Sequence, residues 1–185
     1  MNNTAIVGSH WVFECYRDGV LRWTREYDNL VTTAGLNKLL DATFKTGLAT
    51  PSWFVGLVDA SPTFAAADTM GGHAGWTENT SYSATTRQEL TLGAIASGSA
   101  SNSASKASFT ANATTTVAGA FLTDSDVKSG TSGTLYAEGA FTGGDEALNA
   151  ADVLNITVTL TVQSGAASAG SFMPIKEESF GTYHP

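Results

Sequence analysis

The run HWVFECYRDGVLRWTREY, residues 10–27, decides the first step of the fold. Two stretches rich in aromatic and β-branched residues flank the dipeptide Asp18-Gly19. A two-residue type I′ turn needs positive φ at both central positions, and Asp-Gly tolerates that conformation well. The run therefore predicts an antiparallel β-hairpin with this dipeptide at its tip.

A two-residue loop also predicts the register of the hairpin. Trp11, Phe13 and Cys15 fall on one face. The opposite face takes the pairs Tyr16 with Leu21, Glu14 with Trp23, Val12 with Arg25 and His10 with Tyr27. Because aromatic groups occupy both faces, we expect one to pack on the domain's own core and the other on a second layer or another subunit.

The following run, TTAGLNKLLDATFKTG, changes from a strand pattern to a helix pattern. Leu36, Leu39, Leu40 and Phe44 recur at helical spacing on one side, which predicts a short helix at about 33–45. Thr32 or Thr33 can cap its start, and Gly47 suits the position just beyond its end. We expect this helix to lie across one end or face of a sheet.

Most of the other segments predict strands separated by turns. The candidates are residues 53–59, 88–95, 106–113, 114–123, 134–141 and 153–162. The last of these, VLNITVTLTV, alternates apolar and polar side chains, so one face is core and the other is wet or touches a neighbour. The run SGSASNSA, between residues 96 and 105, predicts a polar loop that buries nothing.

These elements predict a mainly β fold. Seven or eight short strands with one early helix favour an antiparallel, jelly-roll-like β-sandwich with one short inserted α-helix, and a barrel is the alternative. We expect a sandwich domain at 1–162, then a linker and an extended C-terminal arm at 163–185. Gly119 and Gly139 lie in similar GAF contexts, which adjacent antiparallel strands with small residues under aromatic rings would explain.

Composition limits the classes of partner. The net charge is −8 with nine Lys and Arg, which works against nucleic-acid binding because phosphate contacts need clustered cations. Ala, Ser, Thr and Gly account for 90 of the 185 residues. Such small, uncharged side chains suit sheet surfaces that other chains cover, since few ions must be desolvated on association.

A single cysteine, Cys15, excludes an intrachain disulfide. The first 16 residues have neither a basic nor an uninterrupted apolar region, and no apolar stretch is long enough to cross a bilayer. We therefore expect folding in a reducing cytoplasm and no membrane partner.

From residue 28 to 162 the order of features is similar to a group of small virion proteins of tailed bacteriophages. The resemblance is carried by NLVTTAGLNKLLDATF, WFVGLVD, ADTMGGHAGWTENTSYS with Arg87, NSASKASFTANATTTVAGAFLTDSD, GTLYAEGAF and VLNITVTLTV. It implies a structural protein of the virion, assembled in the host cytoplasm. The expected role is capsid decoration as a homo-oligomer, with the major capsid protein or other virion proteins as partners. A tail-fibre, collar or carbohydrate-binding receptor component is the alternative.

The run DTMGGHAGWTENTSYSATTRQEL, residues 68–90, concentrates the side chains that could do chemistry. Asp68, His73 and Glu78 would have to converge to hold a metal or act as a hydrolytic site, and no HExxH or GxSxG motif accompanies them. The structural interpretation is that Gly71, Gly72 and Gly75 turn the backbone, Trp76 and Tyr82 anchor a long loop, and Arg87 pairs with Glu78 or Asp68. We predict no catalytic, cofactor-binding or metal-binding residue and no enzyme activity.

Two weaker signals have ordinary explanations. Turn carboxylates could supply oxygen ligands to calcium but do not follow EF-hand spacing; they are Asp124, Asp126, Asp145, Glu146 and Asp152. Sequons occur at Asn2, Asn79, Asn112 and Asn155, and we expect them to carry no sugar because an export signal is lacking.

The C-terminal residues combine a flexible linker, QSGAASAGS, with an apolar segment, FMPIKEESFGTYHP. The segment contains five large apolar residues, namely Phe172, Met173, Ile175, Phe180 and Tyr183. We expect it to dock as an arm, either on its own domain or on a neighbouring subunit.

Overall fold

The computed structural model of the chain describes residues 5–45 and 51–164. In chain order the strands are β1 (Ala5–Arg17), β2 (Val20–Asp28), β3 (Leu30–Val31), β4 (Phe54–Val58), β5 (Glu78–Asn79), β6 (Gln88–Glu89), β7 (Ser99–Ser101), β8 (Ala107–Thr110), β9 (Thr115–Val117), β10 (Gly119–Thr123), β11 (Leu135–Ala140), β12 (Glu146–Leu148) and β13 (Val153–Ser164). The helix α1 (Thr33–Phe44) lies between β3 and β4. The predicted mainly β fold with one early helix is confirmed.

The strands form antiparallel sheets. One sheet has the order β2-β1-β13-β7, with β8 also paired to β13, and a second has the order β3-β11-β10-β4-β5, with β6 also paired to β4. Strands β9 and β12 form a separate pair. In the part of the chain that the structure describes, none of these sheets closes on itself. The jelly-roll-like sandwich stays a prediction.

The hairpin turn is confirmed, whereas the predicted register is wrong beyond the first pairs. Asp18 and Gly19 have φ values of 52° and 76°, as a type I′ turn requires. Tyr16 pairs with Leu21, but a bulge then shifts the register by one residue, and Cys15 pairs with Trp23. The corrected pairs are Glu14 with Thr24, Phe13 with Arg25, Val12 with Glu26, Trp11 with Tyr27 and His10 with Asp28.

The bulge places aromatic side chains of β2 on the core face of the hairpin. The Tyr27 ring lies parallel to the rings of Trp11 and Phe13, with centroids 6.2 and 5.4 Å away. Trp23 is partly buried against the same core. The predicted register would have moved both side chains to the opposite face, so core packing explains why the bulge is favoured.

Helix α1 begins where the sequence predicts. The Thr32 side chain caps it by accepting a hydrogen bond from the Gly35 amide at 3.0 Å. Gly35 is also the only buried residue of the helix, and a Cβ atom there would collide with the backbone of Tyr136 on β11. The helix therefore approaches β11 through a glycine. The predicted position of Gly47 lies outside the described residues.

The apolar side of α1 is less buried than the pattern predicts. Leu36, Leu40 and Phe44 are 41%, 55% and 78% exposed. The helix lies against β11 through Gly35, as expected for a helix on a sheet, and its exposed apolar side chains line a groove with residues of β1 and β13.

The predicted loop at 96–105 is wrong in part. Ser99–Ser101 forms β7 against β13, and Asn102 is fully buried. The Asn102 side chain accepts a hydrogen bond from the Val158 amide at 2.7 Å and donates one to the Ile156 carbonyl at 3.2 Å. This amide side chain thus satisfies backbone groups of β13, which is how a polar segment can be buried.

The other strand predictions differ mainly in length. Of residues 88–95 only Gln88 and Glu89 form a strand, and residues 114–123 divide into β9 and β10. β10 and β11 are adjacent and antiparallel, and Gly139 lies under the Tyr27 ring, whereas Gly119 packs on the backbone of Gly139 and Ala140. The interpretation of the GAF repeat is therefore confirmed for the strand pairing and for Gly139. β13 continues to Ser164, two residues beyond the predicted domain boundary.

The larger sheets contribute to one hydrophobic core. Trp11, Phe13 and Ile156 come from the sheet that contains β1, and Leu57 and Leu122 from the sheet that contains β4. A smaller cluster on the other side of β4 and β10 contains Val58, Met70, Trp76, Phe121 and Leu135. None of the helices in the described ranges is long and apolar enough to cross a bilayer.

Candidate functional site

Of the candidate residues in the 68–90 stretch, His73 and Glu78 line one surface cavity, whereas Asp68 is not among its lining residues. Within residues 5–45 and 51–164, no three His, Cys, Asp or Glu side chains are placed to hold a metal ion. His73 stacks on the Trp76 ring at a centroid distance of 3.8 Å, and its Nδ1 lies 3.0 Å from the Trp76 carbonyl oxygen. Asp68 accepts a hydrogen bond from the Ala65 amide. These contacts hold the loop together locally.

Arg87 pairs with Glu78. Of the two partners that the sequence left open, Glu78 and Asp68, the structure therefore selects Glu78. Its Nε and Nη2 atoms donate to the two carboxylate oxygens at 3.0 and 2.8 Å, and the guanidinium is fully buried. It also donates to the carbonyls of Ser125 and Gly130 and lies 5.0 Å from the centre of the Phe121 ring. Four of the five N–H donors of this buried guanidinium bind groups of the protein itself, as is usual for a charge that holds a fold together.

The loop is anchored by the two predicted aromatic residues. Trp76 and Tyr82 are 5% and 1% exposed, and Gly75 packs against the backbone of Thr63 so closely that a Cβ atom would collide with it. Gly71 and Gly72 have no positive φ, so their predicted role in turning the backbone does not come from a left-handed conformation. The anchoring interpretation of this stretch is confirmed for Trp76 and Tyr82.

One acidic residue that the sequence interpretation missed lies beneath this loop. Glu138, on β11, is fully buried, and its Oε2 atom accepts a hydrogen bond from Trp76 Nε1 at 2.9 Å. Its Oε1 atom has no hydrogen-bond partner. Burial, followed by the nearby charge of Asp68, raises the pKa of Glu138 to about 8. The protonated form of the carboxyl group is therefore favoured at neutral pH.

The signal that could have identified Glu138 is its position in LYAEGA, as the one acid in an otherwise apolar strand. A raised pKa beside a second carboxylate is a feature of many active sites. Here the group is sealed under Trp76, and it does not line any of the larger surface cavities of the described residues. The Glu138 carboxyl group can hold a proton, but Trp76 separates it from solvent and from any substrate.

Cys15 is equally enclosed. The thiol is fully buried in the main core, and burial raises its pKa to about 11. Since the thiolate is the nucleophile, this cysteine is unreactive at neutral pH.

The turn carboxylates lie in different parts of the fold, from the fully buried Asp152 to more exposed positions, and donors of the protein bind them. Both oxygens of Asp152 accept from Arg17, at 2.7 and 2.8 Å, and Glu146 pairs with Arg25. Asp145 accepts from the Ser61 amide at 2.9 Å. Asp124 accepts from the Thr134 amide. Each of these four has a local structural partner.

The sequon residues also have structural contacts. Asn79 is 2% exposed and donates to Thr115 Oγ1 and the Thr116 carbonyl, both at 2.8 Å. Asn112 donates to the Tyr82 carbonyl at 3.2 Å. Asn2 lies outside the described residues.

Two exposed apolar surfaces remain as candidates for binding. The first, the α1 groove, has a volume of about 500 Å³ and is lined by Leu36, Leu40 and Phe44 of the helix and by Ala5, Val7 and Val162 of β1 and β13. The second, the hairpin edge, comprises β2 (Val20–Asp28), with Val20 and Leu21 at its tip 59% and 48% exposed. β2 pairs only with β1 among the described strands, so its outer backbone groups are open to another strand.

Comparison with known proteins does not relate the chain to a family. No family model matches it, and no curated protein is significantly similar to it. The likeness to phage virion proteins therefore depends on the sequence features given above, and the function that it implies is a proposal.

Proposed function

We propose that the protein is a structural protein of a bacteriophage virion, in which it decorates and stabilises the capsid as a homo-oligomer. It acts by binding protein surfaces and not by catalysis, and its partners are the major capsid protein and other copies of itself. In this proposal its two larger sheets pack as a jelly-roll-like sandwich, whose shared core of β1, β4, β10 and β13 side chains supports that arrangement.

The observation that carries the proposal is the hairpin edge. A nine-residue edge strand with an apolar tip is a surface that monomeric proteins usually shorten or protect. Here β2 presents Val20, Leu21 and an unpaired backbone row, whereas its inward-facing Tyr27 completes the core. An edge of this kind can accept a strand from a neighbouring protein without any change in the fold.

Charge and composition support the same mechanism. The net charge is −8, and the cations of the hairpin are largely engaged: Arg17 with Asp152, and Arg25 with Glu146. Few free cations remain on this surface to bind nucleic acid. On a symmetric capsid, many equivalent contacts of modest strength would add up to durable attachment.

The experiment is to replace both tip residues by lysine, Val20→Lys with Leu21→Lys, and to measure how much protein remains on purified particles. We expect at least a tenfold loss of occupancy, because binding would have to remove water from the charged ammonium group of each lysine. The thermal unfolding midpoint should stay within a few degrees of the wild type, since both side chains are exposed.

The matched control is Ile95→Lys, which changes another exposed apolar residue, 81% exposed, away from the tip. It should leave occupancy unchanged. Absence of the wild-type protein from particles would contradict the virion role, and equal occupancy for both variants would contradict the hairpin edge as the contact. Density for the chain on a tail fibre or collar would replace capsid decoration by the alternative role.

A further inference from the structure

The α1 groove is an apolar surface that the described residues leave open. Its helical side consists of Leu36, Leu39, Leu40, Thr43 and Phe44. Leu36, Leu40 and Phe44 are 41%, 55% and 78% exposed. Its other side is formed by Ala5 and Val7 at the start of β1 and by Val162 near the end of β13. A groove of about 500 Å³ has room for several large side chains.

The chain itself leaves the described fold at the rim of this groove. Val162 lines the groove, and Ser164, the last residue of β13, is paired with Ala5, which also lines it. Residues 165–185 follow directly. The segment 165–185 therefore begins next to the apolar α1 groove.

The sequence of the segment has the composition that the groove requires. Seven small residues, GAASAGS, separate Ser164 from Phe172, and Phe172, Met173, Ile175, Phe180 and Tyr183 come next. By the scaling for Gly/Ser-type sequences, seven such residues correspond to a root-mean-square span of about 15 Å, which is close to the length of a twelve-residue helix, about 18 Å. The linker can therefore deliver Phe172 to any point along α1.

We propose that the α1 groove binds residues 172–183 of the same chain. Attachment through a short linker gives the segment an effective concentration of about millimolar at its own groove, which a second copy does not match at ordinary protein concentrations. Bound there, the segment covers the exposed side of α1 and fixes the helix to the ends of β1 and β13. This proposal does not depend on the proposed virion role.

The test uses cysteine pairs in the full chain and a short bismaleimide crosslinker. Cys15 is buried with a raised pKa, so it does not compete for the reagent. The pair Leu40→Cys with Phe180→Cys should give an intrachain crosslink at the mass of one chain. The control pair, Val20→Cys with Phe180→Cys, places the first thiol at the hairpin tip, about 40 Å along β1 from the groove, and should react at least tenfold more slowly.

A mixture of the two single variants, Leu40→Cys and Phe180→Cys, distinguishes the chain's own segment from that of a second copy. We expect no crosslinked dimer. A dimer formed as fast as the intrachain product would assign the groove to a second copy and overturn the proposal. Equal rates for the groove pair and the tip pair would also overturn it.

Hydrogen exchange gives a second readout without crosslinking. In a full-length variant with Phe172→Asp and Phe180→Asp, amides of α1 should exchange at least fivefold faster than in the wild type. Amides in the first half of β13, from Leu154 to Val158, lie away from the groove and should be unchanged, which shows that the fold is intact. Unchanged exchange in α1 would contradict the proposal.

Discussion

Replacing Glu138 by glutamine should remove a large pH dependence of stability. The pKa of this carboxyl group is about 4.5 in a solvated chain, and burial in the fold raises the pKa to about 8. The folded protein therefore binds a proton that the unfolded chain releases between these values, and the free energy of unfolding falls as the pH rises through this window. Each pH unit corresponds to about 1.4 kcal/mol, so the full loss is about 5 kcal/mol.

Glutamine keeps the shape of the protonated acid and can still accept the hydrogen bond of Trp76 Nε1, but it cannot ionise. The difference in unfolding free energy between Glu138→Gln and wild type should grow by about 5 kcal/mol in favour of the variant from pH 4 to pH 9. Urea denaturation at pH 4, 6, 7.5 and 9 measures it.

The comparison between variant and wild type cancels the groups that titrate in both proteins. Glu26→Gln, at a carboxylate that is 70% exposed on β2, controls for the loss of one negative charge. If the Glu138→Gln difference stayed constant across the range, Glu138 would be ionised in the fold, and the reasoning from burial and from Asp68 would be refuted.

Three further substitutions test the contacts that hold the fold, each by urea denaturation. Arg87→Lys should destabilise the protein by about 3 kcal/mol, because an ammonium cannot replace the buried two-pronged pair or the two carbonyl contacts; a loss below 1 kcal/mol would contradict this. Gly35→Ala should cost about 2 kcal/mol by forcing α1 away from β11, whereas Gly8→Ala, where nothing lies within 4 Å of the added carbon, should change stability by less than about 0.5 kcal/mol. Asp152→Asn should cost about 2 kcal/mol at pH 7. Because the hydrogen bonds from Arg17 lower the pKa of this carboxylate below 3.8, the wild type loses the advantage only as the pH falls below that value; a deficit of the same size at pH 5 and at pH 2 would show that ionisation is not its cause.

The sequence predicts local structure well at positions where only a few residue types can adopt the required conformation or make the required hydrogen bond. Asp18-Gly19 fixes the turn because few other dipeptides accept positive φ twice, and Thr32 fixes the start of α1 because its hydroxyl satisfies a free amide. The strand at 153–162 follows from its alternation. In each case the information lies within a few neighbouring residues.

The predictions are wrong where packing between segments that are far apart in the sequence determines the local structure. Both possible registers of β2 alternate acceptably, and only the position of Tyr27 against Trp11 and Phe13 selects the bulged one. Asn102 belongs to a polar run, and the backbone groups of β13 that it satisfies are more than 50 residues away. No local pattern contains these partners.

The candidate site could be predicted only in part for the same reason. The Arg87 pair was expected because an arginine in a loop with two acids usually finds one of them, but which acid depends on the path of the loop. Glu138 belongs to a strand that was predicted correctly, and its burial follows from Trp76 covering it. A lone acid within an apolar strand is the pattern that should direct attention to such a group.

The contacts that stabilise the fold and the surfaces available for binding lie in different places, and this separation makes the functional proposal testable. Arg87, Glu138 and Gly35 are buried between elements, so changing them alters the free energy of unfolding. Val20, Leu21 and Leu40 are exposed by about half, so a polar replacement removes little packing. A loss of particle binding from the hairpin tip without a loss of stability would therefore report a contact, whereas a loss of both would report only unfolding.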